Sequence, residues 1–164
     1  MGFIDWAWLF LAAIALHNLE EAIWLPSWSK HAGKWHRPVS PSAFRFAVAV
    51  LTLLALIVTF WAVATGPRSV GSYLLTGYAL GMLVNVVFPH MLVSVALRRY
   101  MPGLATALLL NLPITIFLLR SAFVEGYVRF PMFVYFGVAV CIFLVGSIPL
   151  LFRVGEKVMG RSAA

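Results

Sequence analysis

The stretch FAVAVLTLLALIVTFWAVAT, residues 46–65, contains no charged residue. An apolar segment of about 20 residues is long enough to cross the hydrocarbon core of a bilayer as a helix. Four further segments of the chain are comparably apolar. We therefore predict an all-α, polytopic membrane helical bundle, built as a single integral membrane domain over residues 1–164. Its five transmembrane helices are expected at about 4–25, 43–65, 73–97, 104–120 and 131–152.

The composition supports a membrane environment. The chain is 63% hydrophobic and 10% charged, whereas a soluble domain is typically about 25% charged. Such a small number of charged residues cannot cover a water-facing surface. The lipid bilayer is therefore the expected partner. The formal net charge is +7. Because the basic residues fall between the apolar segments, we expect them to contact anionic headgroups, and we expect no binding to nucleic acid.

The basic residues are distributed unevenly between the two sides of the predicted bundle. Nine fall on the side of the C-terminus: Lys30, Lys34, Arg37, Arg45, Arg98, Arg99, Arg153, Lys157 and Arg161. Three fall on the other side: Arg68, Arg120 and Arg129. Cytoplasmic loops carry the excess of Lys and Arg. The distribution therefore predicts an N-terminus outside and a C-terminus in the cytoplasm.

Prolines and glycines mark the expected ends of the helices. Pro26 is expected to follow the first helix, because proline in a helix interior removes a hydrogen bond. Pro102 and Gly103 separate the third helix from the fourth. Pro131 opens the fifth helix, at a position where a missing N–H is tolerated.

One polar run interrupts the first apolar segment: His17-Asn18-Leu19-Glu20-Glu21. A single acidic group at the centre of a membrane helix costs roughly 2.5 to 3.5 kcal/mol on insertion scales. The spacings of three and four residues place His17, Glu20 and Glu21 on one helix face. Two adjacent carboxylates there need a proton, a metal ion, a partner side chain or water. This run is therefore the leading candidate for a functional site.

Later helices supply polar residues at a similar predicted depth. The third helix carries Asn85 and His90, and the fourth carries Asn111. Pro89 cannot donate to the carbonyl of Asn85 and favours a kink, which could bring Asn85 and His90 towards one pocket.

The third helix also carries a stripe of small residues. Gly77, Gly81 and Asn85 are spaced by four. Glycines at this spacing let a neighbouring backbone approach closely. We predict that the stripe is a packed face and that Asn85 points into the bundle.

These residues resemble the HXXEE domain family of small polytopic bacterial membrane proteins. His17-Asn18-Leu19-Glu20-Glu21 matches the family motif, and Asn85 and His90 are similar to its second polar pair. The resemblance implies a protein of the bacterial inner membrane with an intramembrane polar site. Because the family is defined by its motif, the resemblance implies no particular reaction.

A metal site is the first functional hypothesis. Histidine nitrogen and carboxylate oxygen are suitable ligands for zinc, iron or manganese. The candidate metal ligands are His17, Glu20, Glu21 and His90. A bound ion with an open position could activate water or oxygen for chemistry on a lipid-soluble substrate. This hypothesis predicts a membrane metalloenzyme that acts on a hydrophobic or lipid-like small molecule.

The same hypothesis assigns roles to individual residues. Glu20, Glu21 and His17 are the candidate catalytic residues. Asn85, Asn111 and Arg45 are candidates for orienting the ligands or contacting the substrate.

Three alternatives remain open at the level of sequence. A metal-free enzyme could use one Glu as general base and a His as proton shuttle. A proton- or ion-coupled small transporter would also place His and Glu inside the membrane, and five helices would then favour an oligomer. In a structural polar clamp, the same side chains would only hold the helices together.

Overall fold

The computed structural model describes residues 1–33 and 38–160. Of the basic residues counted above, Lys34, Arg37 and Arg161 lie outside the described residues. The described chain is helical and contains no strand. Five helices are long and apolar enough to cross a membrane, as predicted: α1 Phe3–Ser29, α2 Pro41–Thr65, α3 Val70–Leu97, α4 Leu104–Val124 and α5 Phe130–Gly160.

The end predicted for the first helix is wrong, because α1 continues through Pro26 to Ser29. Proline at this position cannot donate to the carbonyl of Ala22, four residues earlier. Arg45 of α2 supplies a donor instead, since its Nε lies 3.2 Å from the Ala22 oxygen. A side chain from the neighbouring helix thus compensates for the hydrogen bond that Pro26 removes.

The helices pack in a consistent order. α1 lies between α2 and α4, and α3 packs against α2, α4 and α5. The centre of the bundle is formed by fully buried residues that α1 to α4 each contribute: Phe10, Ala55, Leu75 and Leu118. α5 contacts mainly α2 and α3. It therefore lies at the periphery, and large apolar side chains such as Ile142 and Phe143 point away from the protein.

The small residues of α3 form the contact with α5. A Cβ built on Gly77 would lie 2.9 Å from Cγ2 of Val140, and one on Gly81 would lie 3.0 Å from Cδ1 of Leu144. The prediction of a packed glycine stripe is therefore confirmed. Asn85 is the next residue of the stripe, and its Oδ1 is buried without a hydrogen-bond partner.

Two irregular segments interrupt the regular helices: a kink in α3 and a π-helical segment in α4. In α3 the segment Val86–Met91 surrounds Pro89, and the backbone of Phe88 leaves the helical region at φ −128° and ψ 120°. In α4 the segment Ala107–Asn111 precedes Pro113. The two segments contact each other. The predicted irregularity at Pro89 is therefore present, and it lies against a second irregular segment on the neighbouring helix.

Candidate functional site

A cluster of three side chains lies where α1 meets the kinked segment of α3 around Pro89. His17 and Glu21 come from α1 and His90 comes from α3. Nε2 of His90 lies 3.2 Å from Oε1 of Glu21, and Nε2 of His17 lies 3.9 Å from the same oxygen. One ligand-type atom from each residue falls within 4.8 Å of the other two. The spacing in α1 and the break at Pro89 thus bring two imidazoles and one carboxylate together.

The imidazoles of this cluster have unused hydrogen-bonding capacity. His17 is 1% exposed and His90 is 0% exposed. Nε2 of His17 and both ring nitrogens of His90 have no hydrogen-bond partner. Nε2 of His90 and Oε1 of Glu21 are therefore close to each other but are not aligned as a hydrogen bond. Leaving a buried polar group unsatisfied costs about 1–3 kcal/mol, so a ligand shared by these atoms would stabilise the cluster.

Glu20 has a different environment from Glu21. It is bound by the connection between α3 and α4 and by the first turn of α4. Its Oε1 accepts from the Gly103 N–H at 2.8 Å and from the Tyr100 hydroxyl. Its Oε2 accepts from the Thr106 hydroxyl at 2.7 Å and from the Thr106 N–H at 3.2 Å. Four donors thus compensate its charge, and Glu20 is not part of the three-residue group.

The hydroxyl of Tyr100 lies outside the membrane-spanning segments. Burial, followed by the hydrogen bond to Glu20, raises the pKa of this phenol above its ordinary value of 10.0. The phenol is therefore protonated at neutral pH and donates to Glu20. This contact is retained until the pH rises through the raised pKa of Tyr100.

Thr106 connects Glu20 to His17. Its hydroxyl donates to Oε2 of Glu20 at 2.7 Å and lies 3.0 Å from Nδ1 of His17. Because the hydroxyl hydrogen is directed to the carboxylate, its oxygen accepts from Nδ1–H of His17. The neutral imidazole then carries its lone pair on Nε2, the nitrogen nearer Glu21. A chain of two hydrogen bonds thus favours this tautomer and orients the His17 ring.

The backbone of Gly103 lies directly against the three side chains of the cluster. Its φ is +94°, and a Cβ placed there would lie 2.5 Å from Cε1 of His90. The same Cβ would lie 3.0 Å from Cγ of Glu21 and from Cε1 of His17. A side chain at this position would therefore require the histidines or the connection to move. Glycine is needed here both for its conformation and for its lack of a Cβ.

The remaining predicted site residues have separate positions. Arg45 is exposed and lines a groove between α1 and α2, where it donates to the Ala22 carbonyl. Asn111 is fully buried at the end of the π segment of α4, and neither atom of its amide has a partner. Neither Asn111 nor Asn85 is hydrogen-bonded to the cluster. The residues brought together are therefore His17, Glu21 and His90, with Glu20 beside them.

Three residues of the site were missed by the sequence analysis: Tyr100, Gly103 and Thr106. Gly103 was assigned only as a breaker between helices. The proximity of Thr106 to Glu20 follows from the tight path of the connection and carries no local sequence signal. Tyr100 could have been found as a polar aromatic residue between two spans.

Comparisons with known proteins agree with the motif. Residues 8–118 match a family described as proteins of unknown function with an HXXEE motif. The uncharacterized protein YrkK of Bacillus subtilis is 38% identical over 149 residues, which cover 91% of this chain and 94% of YrkK. No solved structure matches. The matched region contains His17, Glu20, Glu21 and His90. The chain therefore belongs to the family of proteins of unknown function with an HXXEE motif.

Proposed function

We propose that this protein is a membrane-embedded metalloenzyme in which His17, Glu21 and His90 hold one divalent transition metal ion. The observation that carries the proposal is the convergence of two imidazoles and one carboxylate within 4.8 Å. The unpartnered nitrogens of both histidines support it further. A cation bound among them would neutralise the carboxylate and give these nitrogens a partner.

The donor set restricts the choice of ion. Two nitrogens and one oxygen suit zinc, iron or manganese. Three protein ligands leave at least one coordination position for water or substrate, and a metal there would act as a Lewis acid or activate the water. The protein residues would supply the orientation: Thr106 and Glu20 hold His17, and Gly103 limits access from the connection.

The position of the site suggests a lipid-soluble substrate. The cluster lies on helices that are long and apolar enough to span a membrane, which favours a substrate that dissolves in the bilayer. The bacterial relative and the five apolar helices support a location in the bacterial inner membrane. The excess of basic residues towards the C-terminal side supports an orientation with the N-terminus outside. His17, Glu21 and His90 would then lie in the cytoplasmic half of the bundle.

A metal-free site is the second candidate, and the 3.2 Å approach of His90 to Glu21 favours it. A proton carried by either side chain of this pair could serve acid–base catalysis or proton-coupled transport. The two candidates differ in metal dependence. A proton flux in liposomes that is lost in Glu21→Gln and is insensitive to chelators would support the metal-free site.

Metal content tests the first proposal. The protein purified in detergent should contain about one equivalent of zinc, iron or manganese by elemental analysis. Glu21→Gln and His90→Gln should lose the metal. Glu156→Gln is the matched control, because it makes the same carboxylate-to-amide change at an exposed position on α5. Folded wild-type protein that is metal-free and gains no thermal stability from any of these ions would refute the proposal.

Enzymatic activity needs a separate experiment. Membrane lipid extracts can be compared between cells that lack the protein and cells complemented with wild type or His90→Gln. A lipid-soluble product that appears only with wild type supports an enzyme. Identical extracts from all three strains, with wild type present in the membrane and metal-loaded, would contradict it.

A further inference from the structure

We infer that the groove between α1 and α2 binds one anionic phospholipid of the bilayer, with the lipid phosphate at Arg45. The groove has a volume of about 620 Å³. Its apolar walls come from both helices: Leu11, Ala15 and Leu19 on α1, and Leu53 and Leu56 on α2. The lining of the groove includes Asn18, Leu19 and Ala22 of α1 but no residue of the histidine cluster, so the two sites are separate.

Arg45 supplies the charge that a phosphate requires. It is exposed at one end of the groove. Its Nε donates to the Ala22 carbonyl, which Pro26 leaves without a helical donor, and this bond holds the guanidinium against α1. Among the described residues no carboxylate forms an ion pair with Arg45. Its terminal nitrogens can therefore bind a phosphate in the bidentate geometry that arginine favours.

The length of the groove matches one acyl chain. Along α2 it extends from Arg45 to Leu56. At 1.5 Å per residue this is about 16 Å, close to half of the roughly 30 Å hydrocarbon core. A lipid with its phosphate at Arg45 would thus place its chain along the groove and end near the middle of the bilayer.

The polar groups inside the groove are already paired within the protein. Asn18 donates from Nδ2 to Oγ1 of Thr52 at 2.7 Å. Thr52 donates to the carbonyl of Val48 at 2.8 Å. An acyl chain in the groove would therefore make mainly apolar contacts, as the lining residues indicate. A second protein copy is a poorer occupant, because it would bury the unpaired charge of Arg45.

Native mass spectrometry with added lipids tests the inference. Wild type should retain one phosphatidylglycerol molecule, bound about fivefold more tightly than phosphatidylcholine, which is the effect of one basic residue at a membrane surface. Arg45→Gln should remove this preference. Arg153→Gln is the matched control, because it removes an exposed arginine from α5 and should leave the preference unchanged.

A second variant separates the groove from the charge. Ala49 is exposed and lines the groove, so Ala49→Trp should fill it without disturbing the core and should abolish retention of both lipids. Metal content should not change in this variant, which makes the test independent of the proposed enzyme. Equal binding of the two lipids by wild type, equal loss of preference in Arg153→Gln, or a lipid-free dimer would overturn the inference.

Discussion

At the residue scale, the two adjacent glutamates of the motif have separate environments. Successive residues on a helix point about 100° apart, so Glu20 and Glu21 face different neighbours. Glu20 binds Gly103 and Thr106 of the chain after α3, while Glu21 faces the two histidines. The Glu20 carboxylate therefore binds the connection and orients His17 through Thr106. The Glu21 carboxylate remains available to an ion or a proton.

Thr106→Val removes the hydroxyl between Glu20 and His17 while keeping the side-chain shape. In the proposed metal site, losing such an orienting bond should weaken metal affinity about 10- to 100-fold. Thr106→Ser should restore most of it. Affinity can be measured by titrating metal into chelator-treated protein.

The control for this experiment lies on the same helix. Thr115 is fully buried, and its hydroxyl has no hydrogen-bond partner. Thr115→Val should therefore leave metal affinity unchanged and should not lower stability. Equal affinities of Thr106→Val and wild type would show that the hydroxyl does not orient His17.

Gly103→Ala should disturb the cluster through one added carbon. The new Cβ would lie 2.5 Å from Cε1 of His90, so either the connection or the imidazoles must shift. Gly126→Ala is the matched control, because Gly126 also has a positive φ of +71° but no atom within 4 Å of its Cβ position. Both variants bear the backbone cost of about 1–2 kcal/mol. Only Gly103→Ala should also lose metal, as measured by elemental analysis, and equal metal retention would contradict the steric argument.

The sequence predicts part of the site at this scale. The helical spacing of His17 and Glu21 brings them to one face, and the irregular helix at Pro89 allows His90 to join them. The different environments of Glu20 and Glu21 could not be predicted, because the hydrogen-bond donors to Glu20 come from residues 100–106. Their positions depend on how the connection folds back over α1, which no local pattern specifies.

At the element scale, the packing of α3 on α5 depends on two glycines of α3, Gly77 and Gly81, which have no side chain. In a bilayer, helix association relies on close packing and not on exclusion of water. Gly77 and Gly81 admit Val140 and Leu144 of α5 to within 3.0 Å of their Cβ positions. This contact and the packing of α5 on α2 together hold α5 at the edge of the bundle.

Gly77→Ala should lower the free energy of unfolding by about 1–3 kcal/mol, the usual cost of overpacking. Its Cβ would lie 2.9 Å from Val140, so adding Val140→Ala should recover part of the loss. Gly146→Ala provides the control, since nothing lies within 4 Å of its Cβ position. Thermal unfolding in detergent measures the effect. Equal stability of Gly77→Ala and Gly146→Ala would refute close packing at this site.

Helix boundaries were harder to predict than the existence of the helices. Long apolar segments identify the five spans because a helix satisfies its backbone hydrogen bonds within the segment, as lipid requires. The end of α1 could not be predicted from Pro26. The helix continues there, and Arg45, on another element, supplies a donor to the carbonyl that Pro26 leaves without one. Tertiary contacts of this kind are not encoded within the segment itself.

At the scale of the whole molecule, the distribution of charge predicts one orientation. Nine of the twelve basic residues fall on the side of the C-terminus in the five-helix arrangement. The C-terminus should therefore be cytoplasmic. A C-terminal green fluorescent protein fusion should fluoresce, and the corresponding alkaline phosphatase fusion should be inactive. The reverse pattern would place the histidine cluster in the outer half of the membrane.

The histidine cluster depends on the tautomer of His17, on the irregular segment of α3 and on the arrangement of α1, α3 and α4. Anomalous diffraction from crystals of the metal-loaded protein tests this most directly. We predict one anomalous peak about 2.0–2.2 Å from a nitrogen of His17, a nitrogen of His90 and an oxygen of Glu21, with Glu20 still bound to Gly103 and Thr106. No peak at the cluster, or a peak held by other residues, would contradict the account.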